Sequence, residues 1–247
     1  MRTIDVDVAT RTAVVQPGLL NREVKAAVAE HGLWYPPDPS SFDICSIGGN
    51  IATNAGGLCC VKYGVTTDYV LGLQVVLADG TAVRLGGPRL KDVAGLPLTK
   101  LFVGSEGTLG IITEATLRLI PAQGAPNIAV AFFASVDDAT AAVSALTARI
   151  RPSLLEFMDG VSIRAVEAVT RMGLDTEAEA MLLVGTDTPG DAGLAEPGQE
   201  RAEHDVQRRR EAVERLIATF GSDVGRQLDA VISEMNGLDR LAGDLST

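Results

Sequence analysis

The stretch "CSIGGNIATNAGGLCC", Cys45 to Cys60, gathers Gly48, Gly49, Gly56 and Gly57, the amides Asn50 and Asn54, and the hydroxyls Ser46 and Thr53, without one charged side chain. Glycine lets a backbone approach a ligand closely and turn N–H groups toward an anion, while Asn and Thr bind polar atoms at no charge penalty. The segment suits a neutral cradle for a large, flat, hydrogen-bonding ligand that includes a pyrophosphate. It equally suits a structural turn. It is neither a Walker loop nor a Rossmann fingerprint, because no GK[ST] follows and no strand feeds G-x-G-x-x-G directly.

A second stretch, "GSEGTLGII", places Gly104, Gly107 and Gly110 with Ser105, Glu106 and Thr108 just before an apolar run. Its single carboxylate can hold a ribose hydroxyl or simply cap a turn. Three cysteines, Cys59 and Cys60 being adjacent, do not make a secreted disulfide framework, so buried packing is their default role. The two histidines, His31 and His204, stand at no ligand spacing from a cysteine, which argues against a metal site. His204 lies in "AEHDVQRRRE", the solvated face of a charged helix.

With 247 residues, 46% of them hydrophobic, the chain can build one large domain or two modest ones around a real core. A net charge of −11 argues against a nucleic-acid binder, and the basic run Arg208 to Arg210 is diluted by Glu200, Glu203, Asp205 and Glu211. No window approaches the ~18 consecutive apolar residues of a membrane span. The N-terminus lacks the apolar core of a signal peptide, so a cytoplasmic protein is expected.

Several elements must position these stretches. "IDVDV" and "AVVQ" predict a hairpin about "ATRT", ended by Pro17 and Gly18. Asn21 is placed to cap a helix with Val24, Ala27 and Val28 on one face, stopped at His31 and Gly32. "WYPPDPSSF" cannot be regular structure, since Pro36, Pro37 and Pro39 remove amide donors; it forms a rigid lead-in to the glycines. "YVLGLQVVLADGTAVRLGG" predicts a long hairpin turning at Asp79 and Gly80. "LTKLFVGSEGTLGIITEATLRLIP" passes from a short helix through a glycine turn into a strand with Ile111, Ala115, Leu117 and Leu119 on one face and Glu114, Thr116 and Arg118 on the other.

Linker composition at 121 to 127 places a domain boundary there. Beyond it come the strand "IAVAFFA", a helix capped by Ser135 with Val143, Leu146 and Ile150 on one face, "SLLEFMDG", a helix near "VSIRAVEAV" and the strand "AMLLVGTD". A polar loop "PGDAGLAEPGQ", a charged helix from Arg201 to Phe220 and a short amphipathic tail from Gly221 complete an α+β pattern.

In the order "PPDPSS", "CSIGGNIATNAGG", "KYG", "VLGLQVVLADGT", "LFVGSEGTLGIITEATLRLIP" and "LLEFMDGVSIRAVE", the chain resembles the FAD-linked oxidase family of the vanillyl-alcohol-oxidase type. Within the family the likeness points to the glycolate oxidase and D-lactate dehydrogenase branch. The resemblance implies an α+β fold: a partial PCMH-type FAD-binding domain over 1–121, a linker at 122–127, and a partial ferredoxin-like cap domain with a divergent tail over 128–247. FAD is the implied cofactor. Pro37, Asp38 and Ser46 are expected to approach it, Gly48, Gly49 and Asn50 to line its diphosphate and ribityl region, and Thr53, Asn54, Gly56 and Gly57 to lie by the diphosphate or flavin. Glu106, Gly110, Ile111 and Ile112 are expected on the adenosine side, and Lys62 and Tyr63 of "KYG" match a flavin-adjacent motif.

The implied reaction is oxidation of a small 2-hydroxy acid to the 2-oxo acid by hydride transfer to flavin, with a partner subunit or a quinone as electron acceptor. Family members also carry an earlier glycine-rich pyrophosphate loop and a later H-x-x-G-D-G-N-x-H motif, neither of which occurs here, so the resemblance implies a chain truncated at both ends. No catalytic acid or base is assigned. A non-catalytic remnant or partner subunit that retains the fold is the alternative.

Overall fold

A computed structural model describes residues 1–123, 127–148 and 150–187. The expected polar loop at 189–199, the charged helix with His204 and the amphipathic tail lie outside the described residues. The chain divides into two compact units, Met1–Gln123 and a second that begins at Gly124.

The first unit opens with the expected hairpin, β1 (Ile4–Asp7) and β2 (Thr12–Val15), with Ile4 opposite Val15. Helix α1 (Asn21–Ala29) follows, then a two-residue strand β3 (Leu33–Trp34), so Trp34 is regular where the proline-rich segment was expected to have no such structure. The glycine stretch folds as helix α2 (Ile47–Thr53) and a single turn α3 (Cys60–Tyr63). Strands β4 (Val70–Val76) and β5 (Ala82–Gly86) form the long hairpin, with Gly80 at φ +84° in its turn. A turn of helix α4 (Thr99–Phe102) leads to β6 (Ile111–Arg118) and the short β7 (Ile120–Pro121), which pairs with β3.

These strands assemble an antiparallel sheet in the order β1-β2-β6-β4-β5. Its inner face, with Ala13, Val15, Leu73, Val75, Ala115 and Leu117, shares one core with Val24 and Val28 of α1, Ile47 and Ile51 of α2, and Phe102. On the outer face Arg84 bonds both Glu114 (3.0 Å) and Gln74 (3.2 Å), a polar ladder across three strands.

Two sequence expectations need correction. Asn21 is not the cap of α1: Leu20 holds that position, Glu23 accepts its N–H at 2.8 Å, and Asn21 is the first helical residue, fully buried. Along β6 the alternation breaks, because Gln74 and Val75 on β4 face Glu114 and Ile112, leaving Thr113 as an extra residue. That bulge turns the strand over. Ile112 therefore packs on the core while Ile111 is 67% exposed, the reverse of its expected alignment with Ala115 and Leu117.

The second unit carries β8 (Asn127–Phe133), α5 (Val136–Thr147), β9 (Leu154–Asp159), α6 (Gly160–Thr170) and β10 (Ala180–Thr186), with β10 central in an antiparallel sheet β8-β10-β9. Ser135 caps α5 by accepting the Asp138 N–H at 3.1 Å, as its position predicts, and Asp159 does the same for α6 through Ser162 at 2.7 Å. Ala139 and Ala142 of α5 pack on Phe133, Ala180 and Leu182, whereas Ile163 of α6 packs with Met181. Ile150 lies past the end of α5 and is exposed, so it does not share the helix face expected for it.

Candidate functional site

Helix α2 is an unfavourable sequence for a helix. Gly48 and Gly49 each cost about 1 kcal/mol relative to alanine. Ile47 and Ile51, four residues apart and fully buried, each return roughly 1.5–3 kcal/mol and hold one face to the core. Ser46 adds a cap, its Oγ accepting the Gly49 N–H at 3.1 Å. Gly48 is required by close packing, since a methyl group there would lie 2.6 Å from Pro17 Cβ. Gly49 is exposed, and only Ser46 Oγ lies within 4 Å of where a methyl group would stand. Nothing in the packing around that point demands glycine.

The first-turn amides of α2 are already taken. Ile47 N–H donates to Leu19 O (2.8 Å), Gly48 N–H to Pro17 O (2.9 Å) and Gly49 N–H to Ser46 Oγ. In this fold the Gly48 and Gly49 N–H groups hold the helix to the chain before it. What the helix leaves open is inside it and at its far end. Asn50 is buried, and its Nδ2 has no acceptor among the described residues. A buried, unpaired donor costs about 1–3 kcal/mol, so Asn50 Nδ2 is a polar group of α2 that the described residues leave unsatisfied.

At its far end α2 meets the second glycine stretch. Asn54 closes the helix in the left-handed conformation (φ 49°), and its Oδ1 accepts the Thr67 N–H at 2.9 Å. The carbonyls of Ile51 and Ala52 are then satisfied by the N–H groups of Gly104 and Glu106, each at 2.9 Å. Gly104 (φ +84°), Glu106 (φ +51°) and Gly107 (φ +78°) are all left-handed, and a non-glycine residue in that state is a strained feature that the surrounding bonds impose. Thr53 is exposed beside this junction, its hydroxyl donating to Gly49 O at 3.0 Å. Glu106 is exposed as well. Gly110 lies against β4, where a methyl group would be 2.7 Å from Val75 Cγ1. Of the adenosine-side candidates, Ile111 reaches the surface and Ile112 the core, an outcome of the bulge.

The proline segment forms a third wall. Pro37 is buried, and its carbonyl accepts Asn21 Nδ2 at 3.1 Å. Asp38 faces inward: its carboxylate accepts the Cys59 N–H at 3.2 and 3.3 Å, and Cys59 Sγ lies 3.1 Å from Asp38 Oδ1 and 3.2 Å from Pro36 O. Burial, and after it the adjacent Asp38 charge, push the Cys59 thiol pKa up, so this sulfur is a protonated donor and a packing group. Gly57 touches Asp38 so closely that a methyl group would lie 2.1 Å from the Asp38 carbonyl oxygen. Its N–H donates to Cys60 Sγ at 2.8 Å, and Gly56 stands beside the same sulfur. Tyr63 packs edge-on against Trp34 with ring centroids 4.8 Å apart.

Sequence reasoning missed Lys25 and misassigned Asn21, both of which grip the proline segment. The available signal was their i, i+4 spacing as polar residues flanking the apolar Val24 and Val28. Among the described residues no cluster of three or more His, Cys, Asp or Glu side chains is arranged to hold a metal ion. No described helix is long and apolar enough to cross a membrane.

Two glycine-rich segments are thus locked end to end, with an unpaired amide donor in the helix formed by the first. Residues 1–86 match the family model for an FAD binding domain and residues 123–225 that for the FAD linked oxidases, C-terminal domain. The chain belongs to the FAD-linked oxidases, and FAD is its cofactor. It is 49% identical over 187 residues to glycolate oxidase subunit GlcD of Bacillus subtilis strain 168, covering 75% of this chain and 40% of that protein. GlcD of Escherichia coli K12 is 46% identical over 74% of this chain and 37% of the relative. D-lactate dehydrogenase of Archaeoglobus fulgidus is 38% identical over 74% and 42%. Among solved structures, alkyldihydroxyacetonephosphate synthase superposes with a TM-score of 0.64 at 25% identity, covering 76% of this chain and 39% of that one. The chain thus spans about two fifths of the length of the curated relatives it matches.

Proposed function

We propose that this chain supplies one side of the FAD site in an oxidoreductase that converts a small 2-hydroxy acid, of the glycolate or D-lactate type, to the 2-oxo acid. The observation that carries the proposal is the junction at the end of α2, where Gly104 and Glu106 bond Ile51 and Ala52 and make one surface of two glycine-rich segments. The substrate class rests on the names of the glycolate oxidase and D-lactate dehydrogenase relatives.

FAD held there would supply the hydride acceptor for oxidation of the hydroxyl-bearing carbon of the acid. This chain's residues bind and orient. Asn50 offers its unpaired amide, Thr53 and Glu106 stand exposed beside the junction, and Gly49 allows close approach at a point where its own fold would accept a side chain. Gly57, Pro37, Asp38, Ser46 and Asn54 fix the shape of the walls through internal bonds, and Gly56 stands beside the Cys60 sulfur. Ile111 offers an exposed apolar side chain next to Gly110. We assign no catalytic base, since His31 is exposed on the turn after α1.

The name of the GlcD relatives as a subunit supports a partner subunit for this chain too. Cys45, Cys59 and Cys60 are thiols and form no disulfide, which supports a reducing, cytoplasmic setting. The test is a visible spectrum of the purified chain reconstituted with FAD. Flavin absorbance that bleaches anaerobically on adding glycolate or D-lactate supports the reading. A folded chain that retains FAD without bleaching favours a non-catalytic subunit, and one that takes up no FAD overturns the cofactor site.

A further inference from the structure

We propose that Lys25 is the positioning residue of the flavin-facing wall: its ammonium, seconded by Asn21 one turn earlier on α1, fixes the Tyr35–Asp38 segment and thereby the Gly57–Cys59 turn. The proposal rests on the reading that this segment borders FAD. Pro36, Pro37 and Pro39 have no N–H, so no β-ladder can hold the segment in place. Its carbonyls are instead gripped by side chains. Lys25 Nζ donates to Tyr35 O at 2.6 Å and to Pro36 O at 3.3 Å, Cys59 Sγ adds a contact to Pro36 O at 3.2 Å, and Asn21 Nδ2 donates to Pro37 O at 3.1 Å. Three consecutive carbonyls are thus pinned from outside the segment, each by a side chain of α1 and one of them by Cys59 as well.

The ammonium also lies 5.7 Å from the Trp34 ring centroid and 5.9 Å from that of Tyr35, so the charge is held between two aromatic rings and two carbonyls. Burial lowers the pKa of Lys25, and the nearby Asp38 charge counters that effect. From Pro36 the constraint passes to Asp38, which clasps the Cys59 N–H and thiol and whose backbone oxygen lies against Gly57. Moving the proline segment outward would release the Cys59 thiol and displace the Gly57 turn together.

The test uses the full 247-residue chain with Cys45→Ser and Cys60→Ser, which leaves Cys59 as the single thiol. Lys25→Met should raise the rate at which a disulfide reagent modifies Cys59 about tenfold and weaken FAD binding about tenfold, at unchanged helix content. Lys25→Arg, which retains the positive charge and its N–H donors, should restore both. Lys25→Gln serves the same comparison if the Met variant does not fold. An unchanged Cys59 rate in a folded Met or Gln variant overturns the proposal. If the parent chain binds no FAD, the thiol rate still decides the role of Lys25, and only the cofactor reading falls.

Discussion

The backbone N–H of Glu106 donates to the carbonyl of Ala52 at 2.9 Å, tying the second glycine stretch to the helix formed by the first. Glu106 makes this bond at φ +51°, which costs a side-chain-bearing residue about 1–2 kcal/mol. Glu106→Gly should therefore melt at or above the parent temperature. Glu106→Pro, which loses the donor and cannot adopt positive φ, should lose about 3 kcal/mol of stability in chemical denaturation.

Gly49 and Gly57 should respond oppositely to alanine. A methyl group at Gly57 collides with the Asp38 backbone, so Gly57→Ala should destabilise the chain by about 1–3 kcal/mol and lose FAD with it. At Gly49 the methyl group meets only Ser46 Oγ at 3.2 Å, and alanine is the better helix former by up to about 1 kcal/mol. Gly49→Ala should leave the cofactor-free chain as stable or more so while weakening FAD binding. Equal FAD affinity in Gly49→Ala and parent, measured by fluorescence titration, would remove this position from the site.

Asn50→Leu tests the unpaired amide. Replacing a buried donor that has no acceptor with an apolar group of similar size costs little in the cofactor-free chain. FAD affinity should fall in the same protein, because the donor offered to the ligand is gone. A variant that unfolds would show that the Asn50 side chain is structural.

The Cys59 thiol makes stability depend on pH. Its pKa in the fold is raised, chiefly by burial, above the roughly 8.5 of an unfolded cysteine. The unfolded chain thus releases this proton first, so the stabilisation is complete below about pH 8 and is lost as the pH rises beyond it. The urea midpoint should decline more steeply in the parent than in Cys59→Ala across that range. Parallel curves would show that the thiol contributes no such linkage.

Much of this protein was legible in the residues themselves. The first hairpin, the Asp79–Gly80 turn, the Ser135 cap and the strand and helix order of the second unit follow from local pattern and turn chemistry, which act over a few residues. The paired glycine stretches and the motifs around them resembled the FAD-linked oxidases, the family that the matching models then showed. Long-range pairing was not legible. The bulge at Thr113 depends on how β6 meets β4, so only the assembled sheet could send Ile111 outward and Ile112 inward. The same holds for the glycines: composition offered Gly48 and Gly49 amides to a ligand, but tertiary packing against Pro17 and Leu19 had already claimed two first-turn donors, Gly48 N–H and Ile47 N–H. Sequence determined which residues can bend and approach; the fold decided which polar groups remain unpaired, because a hydrogen bond is settled only when every potential partner has its place.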